Sequence, residues 1–334
     1  MYLDAALPPT SLKAVPQIAR AAESIGFDAL WSTETQHDPF LPGPLISEHT
    51  QKLQFGTGIA VSFARSPATL AYTAWDLAAA SNGRFILGLG TQVKAHIERR
   101  FGMPWPESVT GKLREQIQAL RAFWACWQTG APLNLRGEYY KLTLMSPFFN
   151  PGPIKNPQIP VYVAGVNTGL AKLAGEVADG FLVHPFHTPR YLAETLRPAI
   201  EQGARKAGRT LADVKISVTA FVVTNPQEEA FTRQQIAFYA STPSYRAVMS
   251  LHGWDAIAEK LSVMAATNQW DAMPAEVTDE MLNTFAVVAA PENLAAALVE
   301  RYAPLADRLT LYIPYLPGER DEFWRALCAD LHAA

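Results

Sequence analysis

The strongest constraint on how this chain can fold is an alternation: short apolar runs, each followed by a polar turn and a helix-like stretch, recur eight times along it. The clearest run is Arg84–Gly90, preceded by the turn signal Asn82-Gly83 and followed by a polar loop carrying Thr91, Gln92 and Lys94. A run that short, with no polar face, reads as a strand buried on both sides, the situation of strands in a parallel sheet. Gly88 and Gly90 carry no side chains, so something flat could lie against the backbone at the strand's end.

The other runs are Tyr2–Leu7, Asp28–Ser32, Leu53–Val61, Val161–Ala164, Phe181–His184, Val214–Val223 and Leu309–Ile313. Helical patterns fall between them: from Ser11 to Ser24, Leu45–His49, Ala68–Ala80, Gly111–Trp127, Leu170–Val177, Pro189–Gly208 and, with one interruption, Glu228–Arg301. A closing helix is expected over Arg320–His332. Eight strand–helix units suit a closed (β/α)₈ TIM barrel better than an open sheet, in one domain spanning residues 1–334. Right-handed crossovers then bring every strand-to-helix loop to one face. The long loops after strands 2, 4 and 7, with a shorter one after strand 6, would crowd that face.

With 334 residues, 49% hydrophobic, the chain has material for one large core. A net charge of -3 and no long basic run argue against a nucleic-acid partner. No apolar run approaches the ~20 residues of a membrane span, and no basic, then apolar leader opens the chain, so a cytoplasmic enzyme is expected. Cys126 and Cys328 both sit in helical apolar patterns and read as buried thiols.

Gly165-Val166-Asn167-Thr168-Gly169 follows a strand and opens a helix, so its free N–H groups could cradle an anion; a plain tight turn is the equal alternative. It is no Walker motif, because no Gly-Lys-Ser/Thr follows, and Gly88-x-Gly90 lacks the third glycine of a dinucleotide fingerprint. The glycines of Gly56-Thr57-Gly58 mark a bulge or accommodate a bulky neighbour. His37, His96, His184 and His187 gather at strand ends but lack metal-binding spacing. Glu34, Gln36 and Asp38 add polar groups, and Trp31, Phe40, Trp105 and Phe186 could line an apolar pocket. Arg99-Arg100 is most simply a solvated loop, and Phe123, Trp124 and Trp127 are core residues of their helix.

A set of ordered pieces carries a resemblance: Gly26-Phe-Asp-Ala-Leu-Trp31, Phe55-Gly-Thr-Gly-Ile-Ala60, Ser66-Pro67, Gly83–Thr91, Gly137-Glu-Tyr-Tyr140, Pro160–Gly165 and Ala174–Gly180. Their order and spacing resemble the luciferase-like flavin and deazaflavin oxidoreductases, and most closely the branch that uses coenzyme F420. The resemblance implies a TIM barrel whose third strand holds a bulge with a non-prolyl cis peptide, placed at Gly58–Ile59 as a backstop for the cofactor ring. It also implies that Gly165, Val166, Asn167, Thr168 and Gly169 hold the cofactor phosphate, and that Thr91, Gln92 and His96 line the ring and its side chain.

In the sugar-phosphate dehydrogenases of that branch an acidic residue and a histidine are adjacent after the second strand. Here Glu34 is followed by Thr35, and a histidine comes only at His37. The loop His184–Arg190 also lacks the lysine those enzymes use, which argues against glucose-6-phosphate. The expectation is an F420-dependent oxidoreductase transferring a hydride to or from a small organic substrate, with His37, then Glu34 and His96, as proton-handling groups. The alternatives are an FMN-dependent monooxygenase using reduced flavin and oxygen, and a non-catalytic flavin-binding barrel. The resemblance further implies a homodimer through the helices after strands 2 and 3; no metal is expected.

Overall fold

A computed structural model describes residues 1–334. Eight parallel strands form a ring: β1 (Tyr2–Ala6), β2 (Ala29–Ser32), β3 (Gln54–Thr57), β4 (Phe85–Gly90), β5 (Val161–Gly165), β6 (Gly180–Val183), β7 (Lys215–Val223) and β8 (Arg308–Leu311). Each pairs with the next, and β8 pairs with β1, so the sheet closes without an exposed edge. This is the expected (β/α)₈ barrel.

Alternation along the strands separates two cores. Outward residues such as Leu30, Phe55, Leu87, Val163, Phe181 and Val218 join the helices in one large apolar cluster. Inward residues form a smaller cluster of Ala29, Trp31, Ile86 and Tyr162, with Leu182 packed against it. Below it sits a polar plug. Asp4 accepts from Arg308 Nε and Nη2 (2.8 and 2.7 Å) and from Trp31 Nε1 (2.9 Å), and Arg308 Nη1 donates to Gln54 (2.9 Å).

Helix boundaries follow local chemistry. Ser66 and Ser108 cap the helices Pro67–Ala80 and Val109–Thr129 by accepting from Thr69 and Gly111 N–H. The first helix starts at Val15, later than Ser11 suggested, because Ala14 and Val15 turn first on the Ser11 and Leu12 carbonyls. The stretch between strands 7 and 8 is not all helix: Ala286–Val288 adds a strand to the upper end of β7. Phe123, Trp124 and Trp127 are buried in the core, and both cysteines are buried and free.

The third strand breaks where its glycines sit. Gly56 pairs with Ile86 and Ala60 with Leu89, so this strand advances four residues while β4 advances three. One extra residue bulges out, and the Gly58–Ile59 peptide within the bulge is cis, at the expected bond. Thr57 Oγ1 donates to the Gly88 carbonyl (2.7 Å) and accepts from the Gly88 N–H (3.0 Å), replacing the interrupted ladder.

Candidate functional site

The bulge, the strand ends and the loops beyond them form the mouth of the barrel. Its glycines are there for the protein's own close approaches rather than for an open flat surface. A Cβ on Gly88 would lie 1.9 Å from the Thr57 carbonyl oxygen, and one on Gly56 2.7 Å from the Trp31 ring. Over Gly90 stands Ile59, 2.7 Å from where a Cβ would be. The wall at the end of β4 is therefore the half-buried Ile59 side chain, backed by glycine and underlain by Trp31, whose Cβ lies 3.4 Å from where a Cβ on Gly58 would be.

The loop after β2 is tied to this bulge through Glu34. Its N–H donates to the Ile59 carbonyl (3.3 Å), and its carboxylate accepts from the Val61 N–H (2.6 Å) and pairs with Arg65 (2.6 Å). Arg65 also pairs with Asp38 (2.9 Å). The Glu34 side chain is 6% exposed, and through Oε2 this expected proton group also braces the bulge. Arg65, which carries the brace, carried no sequence signal beyond its place before Ser66-Pro67. Arg100 is not simply solvated: it donates to the Thr35 carbonyl (2.8 Å) and pins the same loop.

His37 is exposed and lines a cavity of about 180 Å³ with Thr10, Ser11, Ser32, Thr33, Thr35 and Asp38. That is below the ~300–1,000 Å³ usual for ligand pockets, so it suits a small group and not a tricyclic ring. His96 is exposed on the short helix Lys94–Arg99. The loop after β2 and this helix are joined through Arg100, one residue past its end. Thr91 is buried; Gln92 has φ 59° and folds its side chain back to accept from the Val93 N–H (3.1 Å).

At the end of β5, Gly165 is required by the turn: a Cβ there would approach Leu170 Cβ to 2.7 Å. The helix Thr168–Val177 begins without a side-chain cap, and Asn167 Nδ2 donates to the Ser244 carbonyl (3.0 Å). The first N–H groups of a helix have no partner within it, so those of Thr168 and Gly169 remain available to an anion. Asn167, Thr168 and Gly169 are exposed, and Val166 is held from below by the Tyr191 hydroxyl on its carbonyl (3.1 Å).

The far side of the mouth is an aromatic group that the sequence did not announce. Tyr239, Tyr245 and Tyr312 come from separate segments, and the Tyr239 and Tyr312 hydroxyls meet at 2.8 Å. Burial raises the Tyr239 hydroxyl above its ordinary range. His184 lies among them, its ring 4.8 Å from Tyr239 and 4.7 Å from Tyr245. His187 is 1% exposed: Nδ1 lies 3.0 Å from the His184 carbonyl and Nε2 3.3 Å from the Tyr302 hydroxyl. Desolvation pushes His184 down to about 3 and His187 to about 4, so both rings are neutral near pH 7.

Residues 3–308 match the family model described as luciferase-like monooxygenase. An uncharacterized protein of Mycobacterium tuberculosis (strain ATCC 25618 / H37Rv) is 42% identical over 315 residues, covering 92% of each chain. A 5,10-methylenetetrahydromethanopterin reductase of Methanolobus tindarius is 28% identical over 295 residues, covering 86% of each. In fold, the coenzyme F420 dependent tetrahydromethanopterin reductase from Methanopyrus kandleri superposes with a TM-score of 0.80 at 20% identity, over 99% of this chain and 98% of that one. With nearly the whole barrel inside the matched region, bulge and strand-end turns included, the chain belongs to the luciferase-like monooxygenase family.

Proposed function

We propose that this protein is an F420-dependent oxidoreductase that moves a hydride between the deazaflavin ring and a small organic substrate. The observation that carries the reading is the register shift of the third strand, which sets Ile59 across Gly90 at the mouth. An apolar wall for a planar ring and an uncapped helix start for a phosphate thus lie at the ends of β3, β4 and β5. The residues fit such a cofactor: Gly58, Ile59, Thr91 and Gln92 would border the ring, and Gly165, Val166, Asn167, Thr168 and Gly169 the phosphate. The relatives support this choice, since the 28%-identical one is named as a reductase and the structural neighbour as F420 dependent.

When bound, the deazaflavin supplies or accepts the hydride, and the protein's residues position the substrate and manage its proton. His37, exposed beside the small cavity, is assigned the proton. Glu34 and Arg65 hold its loop against the bulge. His96, on the short helix after β4, stays a second candidate, and a homodimer in the cytoplasm belongs to the same reading.

Titrating the purified protein with F420 and with FMN, followed by tryptophan fluorescence, tests the proposal. Trp31 lies under the bulge and reports occupancy. F420 is expected to bind at least about tenfold more tightly, a difference of ~1.4 kcal/mol. Tighter binding of FMN would overturn the cofactor assignment in favour of a flavin monooxygenase.

A further inference from the structure

We propose that His184 is the group that recognises the substrate, donating a hydrogen bond from Nε2 to a carbonyl or alcohol oxygen at the barrel mouth. The inference rests on the reading of that mouth as the substrate face. Leu182, two residues earlier, projects into the barrel against the Gly88 position. Side chains two apart on a strand share a face, and the His184 N–H still points to the Gly165 carbonyl at 3.5 Å, so its ring projects into the mouth above Leu182.

Two contacts fix the ring and its proton. Tyr239 meets it edge-on at 86° and Tyr245 lies tilted beside it at 36°, which limits rotation. Nδ1 accepts from the Phe186 N–H at 3.1 Å, so the proton of the neutral ring must sit on Nε2. Nε2 has no protein acceptor and, unlike the enclosed Trp127 Nε1, is not shut away from solvent. An N–H fixed in direction, unspent by the protein and open to the mouth is a donor waiting for a ligand acceptor.

Neighbouring His187 shows the contrast. Its Nδ1 donates to the His184 carbonyl and its Nε2 faces the Tyr302 hydroxyl, so both nitrogens are used and the residue is a strut. Because desolvation keeps His184 neutral through the physiological range, it polarises an oxygen without releasing a proton to it. That division leaves the proton to a separate group, as the two-sided mouth allows.

The test uses ¹⁵N-histidine NMR on F420-loaded protein, with cyclohexanone as the probe. The expected result is an Nε2–H tautomer at His184 from about pH 5 to 8, with that resonance shifting as cyclohexanone is added. His184→Ala should weaken cyclohexanone binding at least about tenfold, while His184→Gln, whose amide still donates, should retain most of it. F420 affinity should stay within about twofold in both variants. An Nδ1–H tautomer, no shift on adding the probe, or equal losses in the Gln and Ala variants would overturn the proposal. Failure of the wild type to bind F420 would instead sink the cofactor assignment, with the tautomer and the probe shift still deciding the role of His184.

Discussion

Single side chains at the mouth divide into braces and free groups, and hydrogen-bond accounting tells them apart. Glu34 has one carboxylate oxygen, Oε2, engaged by both the Val61 N–H and Arg65, whereas His37 is exposed beside a cavity. Substituting His37→Ala should lower turnover ~10²–10⁴-fold, the usual range for losing a positioned acid or base, with cofactor affinity unchanged; steady-state kinetics beside an F420 titration checks both halves. Unchanged turnover would remove His37 from the mechanism. The desolvated histidines, His187 buried and His184 half-buried, make a second prediction. His184 and His187 fall from 6.5 in the ordinary ring to about 3 and about 4 in the fold, where desolvation favours the neutral form. The unfolded chain therefore binds more protons below about pH 6.5, so their stabilisation is whole above that value and is lost as the pH falls towards 4. Urea midpoints should drop across that window, by up to ~1.4 kcal/mol per pH unit for each histidine, and less steeply in His184→Gln. A stability that does not fall between about pH 6.5 and 4 would contradict this burial.

At the scale of elements, the bulge in the third strand organises its neighbours. The extra residue between Gly56 and Ala60 drives the Thr57 carbonyl towards β4, and only a glycine at position 88 leaves room for it. Gly88→Ala therefore forces a backbone against a backbone, with no flexible side chain to give way. The expected cost is ~1–3 kcal/mol, read from the urea midpoint, together with weaker F420 binding because Ile59 is displaced. A variant that keeps both values would show that the bulge can shift freely. The same element explains the Glu34 brace: an irregular strand leaves the Val61 N–H outside the regular ladder, and the loop after β2 supplies its acceptor.

Across the whole molecule, the barrel interior is graded from a sealed polar floor to an open mouth. Asp4 and Arg308, with side chains 0% and 6% exposed, join the first and last strands of the ring. Their pairing is bidentate, at 2.7 and 2.8 Å, with Trp31 donating to Asp4 and Gln54 accepting from Arg308, while full burial raises the Asp4 carboxyl above its ordinary value. Asp4→Ala would leave the guanidinium buried without its partner, costing ~3–5 kcal/mol in urea unfolding. It would also free the Trp31 indole, so its fluorescence in the folded protein should change along with the midpoint. Neither change would be expected if the pair were incidental to ring closure.

Apolar runs of the right length, repeated eight times, determined the barrel, because strands buried on both faces have few other ways to be covered. Local glycine chemistry likewise marked the bulge and the turn at Gly165–Gly169, where the backbone itself needs the missing Cβ. The partner of Glu34, the aromatic enclosure of His184 and the sealing of the floor by Asp4 and Arg308 were decided only by the closed ring. These contacts join residues between 31 and 304 positions apart, and no local pattern encodes which distant side chain arrives. A histidine's proton, above all, is assigned by its neighbours in space, which is why His184 and His187 look alike in the chain and face opposite tasks in the fold.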